Sequence, residues 1–332
     1  MIVESSKLSA KFYEAIAMRI AVLGRAFVTL LVLVGVGGPT VRAEQAPNSG
    51  HAATAQHQTG STIRKHYVDL SGGQLHYVSA GSGPPLLLLH QAPLSHVEFL
   101  SIIPILAEHF TVYAWDTPGH GNSFIPPVEY EVPDYLATLV EFVDALGLQR
   151  VSLLGHHSGA SFTREFAARY PARTERIILS GSARTPPNPK HELSRAKAFL
   201  AQPYSRELSM DAGGEFLADA WSRYVTLASP GAELENVLIP FVIGLDARTK
   251  PYDMHLAIFR YEGWSDYRTV DAPVLLLAGD GDFFLDRERL EYTCTLFPNC
   301  EVYPFIEGAG TFTALEKPAP YANAIIDFLT RE

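Results

Sequence analysis

The period of apolar and polar positions changes several times along the chain, and the changes divide it into elements. Pro85 to His90 is a short apolar run that predicts a buried strand, and it stops at His90-Gln91-Ala92-Pro93, where the chain must turn. Phe110 to Trp115 predicts a second strand, closed by Asp116-Thr117-Pro118-Gly119-His120-Gly121-Asn122-Ser123, a segment dense in turn formers. Tyr135 to Leu148 carries apolar residues at helical spacing, Val151 to Leu154 returns to a strand run, and Gly159 to Tyr170 reads as helix. Arg176 to Ser180 predicts a further strand, followed by a long polar and aromatic stretch without strand signals. The pattern resumes at Pro273-Val274-Leu275-Leu276-Leu277-Ala278-Gly279-Asp280-Gly281-Asp282, then at Val302 to Ile306 and Gly308-Ala309-Gly310-Thr311-Phe312, and ends in a helix from Tyr321 to Leu329. Strands alternating with helices imply a mostly parallel sheet flanked by helices.

Between the strand run at Val151 and the helix at Gly159 lies Gly155-His156-His157-Ser158-Gly159. A strand-to-helix elbow of the G-x-S-x-G type holds its central residue in a strained turn, with small residues two before and two after it. Gly155 and Gly159 centre that frame on His157. Centring it on Ser158 would put the bulky His156 on the tight side of the turn. The bland alternative is a loop that happens to be bracketed by glycine.

With these ordered motifs in place, the chain resembles the α/β-hydrolase superfamily from about His66 to the C-terminus. The match is closest to its capped branch, which includes epoxide hydrolases, haloalkane dehalogenases and C–C bond hydrolases. The resemblance implies an α/β-hydrolase core at 62–183 and 268–332 and a helical cap at 184–267. It also implies that Ala92, in the turn where the family reads H-G-x-P, offers its backbone N–H to an oxyanion hole, with Gln91 in place of the glycine. The second oxyanion donor in the family is the N–H following the nucleophile, here that of Ser158. The family acid corresponds to Asp282.

Two departures matter. Histidine stands at the nucleophile position, and Thr311 follows Gly308-Ala309-Gly310 where the family has its histidine. The last histidine in the chain is His255, upstream of Asp282, so the usual order of nucleophile, acid and histidine is impossible. A serine hydrolase needs imidazole to take the hydroxyl proton and an acid to orient the ring, so a standard serine mechanism is not expected.

Three readings of the site remain open on the sequence. In the first, His157 and Thr311 have exchanged the imidazole and hydroxyl of an ordinary pair, and His157 is a general base, oriented by Asp282 or Thr311, that activates water or an acidic substrate proton, as in ester or lactone hydrolysis or a lyase or isomerase step. In the second, the hydroxyl of Ser158 or Thr311 attacks, with His157, His90 or His255 as base. In the third, catalysis is lost and the pocket binds a ligand or nothing, since fold does not imply function. His90, Asp116 and His120 are expected to be structural. His255 belongs to a helix face within Met254 to Tyr261.

The N-terminus predicts export. Met18-Arg19 and Arg25 precede the apolar run Phe27 to Gly38, and Val41-Arg42-Ala43 ends in small residues that signal peptidase tolerates, so 1–43 reads as a signal peptide with Met18 a candidate start. The run is short of the ~20 residues that span a bilayer, so no stable membrane span is expected after its removal. Residues 44–61, rich in Gln, Ala and His, read as a disordered linker.

Of the chain's 26 Lys+Arg and 36 Asp+Glu, the first 43 residues hold five and two, leaving 21 against 34 and a net charge of −13. That argues against nucleic acid and anionic membranes as partners, and the partner expected from an apolar cleft under the cap is a small-molecule substrate. No metal-ligand spacing and no phosphate-binding glycine loop occurs, so the sequence implies neither a metal nor another cofactor. Cys294 and Cys300 are close enough in sequence for a local disulfide. In the cap, Tyr204, Phe216, Trp221, Tyr224, Phe241, Phe259, Tyr261 and Trp264 serve either a hydrophobic cleft or the cap's own packing. Oligomeric state is not legible.

Overall fold

Strands with continuous apolar runs need cover on both faces, and four strands carrying such runs lie side by side in the middle of the molecule. The computed structural model describes residues 62–183 and 212–331. The segments expected to be signal peptide and linker, and residues 184–211 of the expected cap with Tyr204 among them, therefore lie outside the described residues. Those described fall within one unit, Gln58–Glu332.

The sheet contains β1 (Arg64–Leu70), β2 (Gly73–Ala80), β3 (Pro85–Leu89), β4 (Thr111–Trp115), β5 (Val151–His156), β6 (Thr174–Ser180), β7 (Val274–Leu277) and β8 (Cys300–Val302). Their spatial order is β1-β2-β4-β3-β5-β6-β7-β8. The β1–β2 and β2–β4 pairs are antiparallel and the other five are parallel. Leu86 to Leu89, Leu153, Leu154, Ile177, Ile178 and all of β7 are buried between two apolar layers.

Helices close both faces. α1 (Val132–Ala145) starts with Pro133 in its first turn, where a missing N–H is harmless, and the Glu131 N–H donates to Asp134 Oδ2 at 2.9 Å. It stops before Gly147, which has φ 69°. α2 (Ser158–Arg169) follows the elbow. α3 (Glu215–Leu227), α4 (Leu234–Ala247) and α5 (Met254–Arg260) belong to the insertion, and α6 (Arg287–Cys294) and α7 (Pro318–Thr330) complete the core. Among the described residues, no helix is long and apolar enough to cross a membrane.

The expected last strand, Val302 to Ile306, is shorter and earlier than the apolar run suggests. Pro304 has no N–H for the ladder. Pairing stops at Val302 and returns as a single bridge between Gly279 and Ile306. Cys294, the last residue of α6, and Cys300, the first of β8, are joined by a disulfide.

Candidate functional site

Sterics at the end of β5 fix the site. A Cβ on Gly155 would lie 2.4 Å from the Gly159 carbonyl oxygen, and one on Gly159 would lie 2.1 Å from the Leu89 oxygen, so both positions exclude a side chain. Between them the chain reverses at His157, with φ 45° and ψ −108°, the one non-glycine residue of positive φ among those described. Such a backbone costs on the order of 1–3 kcal/mol and persists only where the surroundings enforce it. His157 is therefore the elbow residue. His156 ends the strand fully buried and Ser158 opens α2.

The His157 imidazole lies between Asp282, Phe284 and Gly181. Its Nε2 is 3.1 Å from Asp282 Oδ2, and its side chain retains 14% exposure while that of Asp282 retains none. The separation is that of a hydrogen bond, but the direction is not, and both atoms are left without a hydrogen bond. Phe284 stands edge-on to the ring at 5.6 Å. A Cβ on Gly181, which has φ 63°, would come within 2.6 Å of Nε2. Burial pushes the Asp282 carboxyl upward, but the adjacent His157 imidazole and the Phe284 N–H, 2.9 Å from Oδ1, outweigh it and hold the pKa below the usual carboxylate range.

Of the two residues expected to orient His157, Asp282 meets the ring. Thr311 is buried and its Oγ1 accepts the Phe283 N–H at 3.3 Å, so its hydroxyl braces the loop that carries Asp282. Ala92 and Ser158 meet directly: the Ala92 N–H donates to Ser158 Oγ at 2.6 Å.

The secondary candidates have other partners. His90 Nδ1 lies 3.0 Å from the Gln91 carbonyl and its Nε2 accepts the Thr117 N–H at 3.0 Å, with burial pushing its pKa down. Asp116 is surrounded by donors: the His76 ring and the Asn122 N–H reach Oδ2, and the His96 ring and N–H reach Oδ1. Its burial would raise the carboxyl, and these bonds overcome that and hold it far down. His255, in α5, sits 3.1 Å from its N-cap Asp253.

Three residues not selected from the sequence complete the site. Glu98, fully buried, accepts the Gln91 N–H at 3.0 Å and the Gln91 side-chain amide at 2.8 Å, and hydrogen-bonds His156 Nδ1. Gln91, which replaces the family glycine, thus has a donor's role. A carboxylate inside the apolar run Val97-Glu98-Phe99-Leu100 is the signal that was there to be read, because a buried charge needs a partner.

The insertion docks beside this site. The Thr311 N–H donates to Leu227 O at 3.0 Å, and Gly310 lies so close to Ser229 N that a Cβ there would be 2.4 Å away. Tyr224 stacks on Phe312, and Trp221 and Tyr224 meet Phe241 edge-on. Tyr261 and Trp264 pack on each other, with Arg164 over Trp264. These aromatics make contacts within the insertion and at its seam with the core.

A sheet with antiparallel pairs at one edge, a strained elbow after its fifth strand and a helical insertion before its seventh defines an α/β fold. The alpha/beta hydrolase fold family model matches residues 84–318, and the chain belongs to that family. It is 28% identical to a haloalkane dehalogenase of Agrobacterium fabrum over 290 residues, 82% of this chain and 93% of that protein. It is 38% identical to a soluble epoxide hydrolase of a Corynebacterium species over 117 residues, 35% of this chain and 41% of the relative, so that match spans about two fifths of the epoxide hydrolase. A thermophilic esterase structure from Thermogutta terrifontis superposes with a TM-score of 0.67 at 21% identity, covering 80% of this chain and 98% of that one. That likeness concerns the fold.

Proposed function

We propose that this protein is an exported hydrolase of a small hydrophobic ester, lactone or related compound, in which water is the attacking group and no acyl-enzyme forms. One observation carries the reading: an imidazole, not a hydroxyl, occupies the elbow, with the Asp282 carboxylate 3.1 Å from its Nε2. An imidazole with a buried carboxylate beside it is suited to take a proton from water, because the carboxylate stabilises the imidazolium that results. Negative charge forming on a substrate carbonyl oxygen would fall to the N–H groups of Ala92 and Ser158. The Ala92 N–H is held by the Ser158 hydroxyl, which the substrate oxygen would displace.

The names of the relatives, an epoxide hydrolase and a haloalkane dehalogenase, support a small organic substrate. Export is supported by the basic and then apolar N-terminal segment and by the Cys294–Cys300 disulfide, a bond that persists in oxidising compartments.

The test is intact-mass analysis of the purified protein quenched during turnover of a panel of aryl esters and lactones. Steady product release without a covalent adduct is expected. An acyl adduct on Ser158 or Thr311 would overturn the mechanism, and no turnover of any substrate would favour a binding role on the same fold.

A further inference from the structure

Three buried atoms converge at the elbow without hydrogen bonds: His156 Nε2, His157 Nε2 and Asp282 Oδ2. His156, His157 and Asp282 each offer one ligand atom, and these atoms lie within 4.8 Å of one another. His156 is fully buried and Asp282 is 5% exposed. Buried polar atoms almost always have partners, so three neighbouring buried side chains that each keep an atom without a hydrogen bond call for an occupant. Two of the three residues also have their far atoms anchored. His156 Nδ1 is hydrogen-bonded by Glu98, and Asp282 Oδ1 accepts the Phe284 N–H. A carboxylate holding the outer nitrogen of a histidine is the arrangement that fixes a metal-binding imidazole.

One ligand separation also fits. A tetrahedral zinc with bonds of about 2 Å places its ligands about 3.3 Å apart, and His157 Nε2 and Asp282 Oδ2 are 3.1 Å apart. Space beside His157 Nε2 is kept clear by Gly181, where a Cβ would intrude to 2.6 Å. The second histidine–carboxylate cluster, His76, His96 and Asp116, serves as a contrast. Its carboxylate oxygens are taken up by ring and backbone N–H donors, which leaves nothing for an ion.

We propose that His156, His157 and Asp282 form a binding site for a divalent first-row transition metal, of which zinc fits two imidazoles and a carboxylate best, with the fourth position open. Imidazole donors disfavour magnesium and calcium, which prefer all-oxygen shells. The absence of a metal pattern in the sequence has a simple cause: adjacent histidines at a strand end and an aspartate on a distant loop have no characteristic spacing. In its catalytic consequence the proposal rests on the water-attack reading. A bound zinc brings the pKa of its water to about 7, and water activation passes from the imidazole to the cation. Water loses a proton to solvent, the hydroxide adds to the ester carbonyl carbon, the carbon–alkoxy bond breaks, and the departing alkoxide takes a proton from solvent.

The experiment uses the purified full chain, stripped with a chelator, titrated with Zn²⁺ by calorimetry and with Co²⁺ by visible absorption. A His51→Ala/His57→Ala background removes linker histidines from the titration. A single equivalent of Zn²⁺ and a visible band of low-coordinate Co²⁺ are expected. Both should weaken by at least about 100-fold in Asp282→Asn and His156→Ala, and by about 10–100-fold in Glu98→Gln. Melting curves of the metal-free variants identify any that fail to fold, and the wild-type Co²⁺ spectrum does not depend on them. Absence of stoichiometric binding by the wild type, or equal binding by folded Asp282→Asn, overturns the site. Binding without ester turnover would leave the metal site standing and overturn the hydrolase reading. Turnover undiminished by chelation, with no binding, would do the reverse.

Discussion

The backbone N–H of Ala92 donates to the side-chain oxygen of Ser158 at 2.6 Å, tying the turn after β3 to the first residue of α2. Ser158→Ala leaves that buried N–H without its acceptor, which costs about 1–3 kcal/mol. A melting temperature lowered by a few degrees is expected, with kcat/KM for an ester substrate kept within about tenfold of the wild type. A nucleophilic Ser158 would instead lose several orders of magnitude on the same change.

Gly181 and Gly231 both have positive φ, 63° and 85°, but only Gly181 is crowded. Alanine at either position is strained by its backbone. At Gly231 nothing lies within 4 Å of the added methyl, whereas at Gly181 the methyl meets the His157 ring. Gly181→Ala is expected to abolish turnover and Gly231→Ala to preserve it, although both lower the melting temperature. Steady-state kinetics on the two variants, with calorimetry to confirm folding, checks the contrast.

Acid should destabilise the fold through the turn after β4. Burial lowers the His120 pKa to about 3, so the folded ring stays neutral between pH 6.5 and 3, while the unfolded ring takes up a proton near 6.5. The unfolded state binds the extra proton throughout that window. Stability is therefore full above pH 6.5 and falls as pH drops toward 3, by up to about 1.4 kcal/mol per pH unit for this group. Asp116, held low by His76 and His96, adds a loss in the same direction below about pH 4. Chemical denaturation at a series of pH values should give a shallower slope for His120→Gln than for the wild type; parallel slopes would contradict the assignment.

The Cys294–Cys300 bond closes a short loop between α6 and β8. Chain entropy for a loop of that length gives about 2 kcal/mol of stabilisation. The double variant Cys294→Ala/Cys300→Ala is expected to melt several degrees lower at unchanged turnover, because neither cysteine is part of the His157 site.

The middle of the fold was legible in the sequence because β3, β5, β6 and β7 are buried on both faces, so their apolar runs are nearly continuous. β1 and β2 were not. Arg64 to Leu70 alternates exposed and half-buried residues and is anchored by its hairpin partner rather than by its own hydrophobicity. The elbow was legible because Gly155 and Gly159 are demanded by contacts with nearby backbone and cannot be replaced silently. Glu98 was hidden, since its partner His156 is 58 residues away and only the pairing of β3 with β5 brings the two segments together. His156 itself entered the sequence argument only as bulk. Its chemistry follows from burial, and a single sequence does not display which of two neighbouring histidines faces inward.

Everything in the functional account turns on the imidazole at the elbow. The most direct measurement is kcat/KM for an aryl ester or lactone hydrolysed by the wild type and by His157→Ala, with circular dichroism confirming that both are folded. A fall of at least about 100-fold in His157→Ala, the range expected on removal of a general base, is predicted. Turnover by folded His157→Ala at the wild-type rate would contradict it.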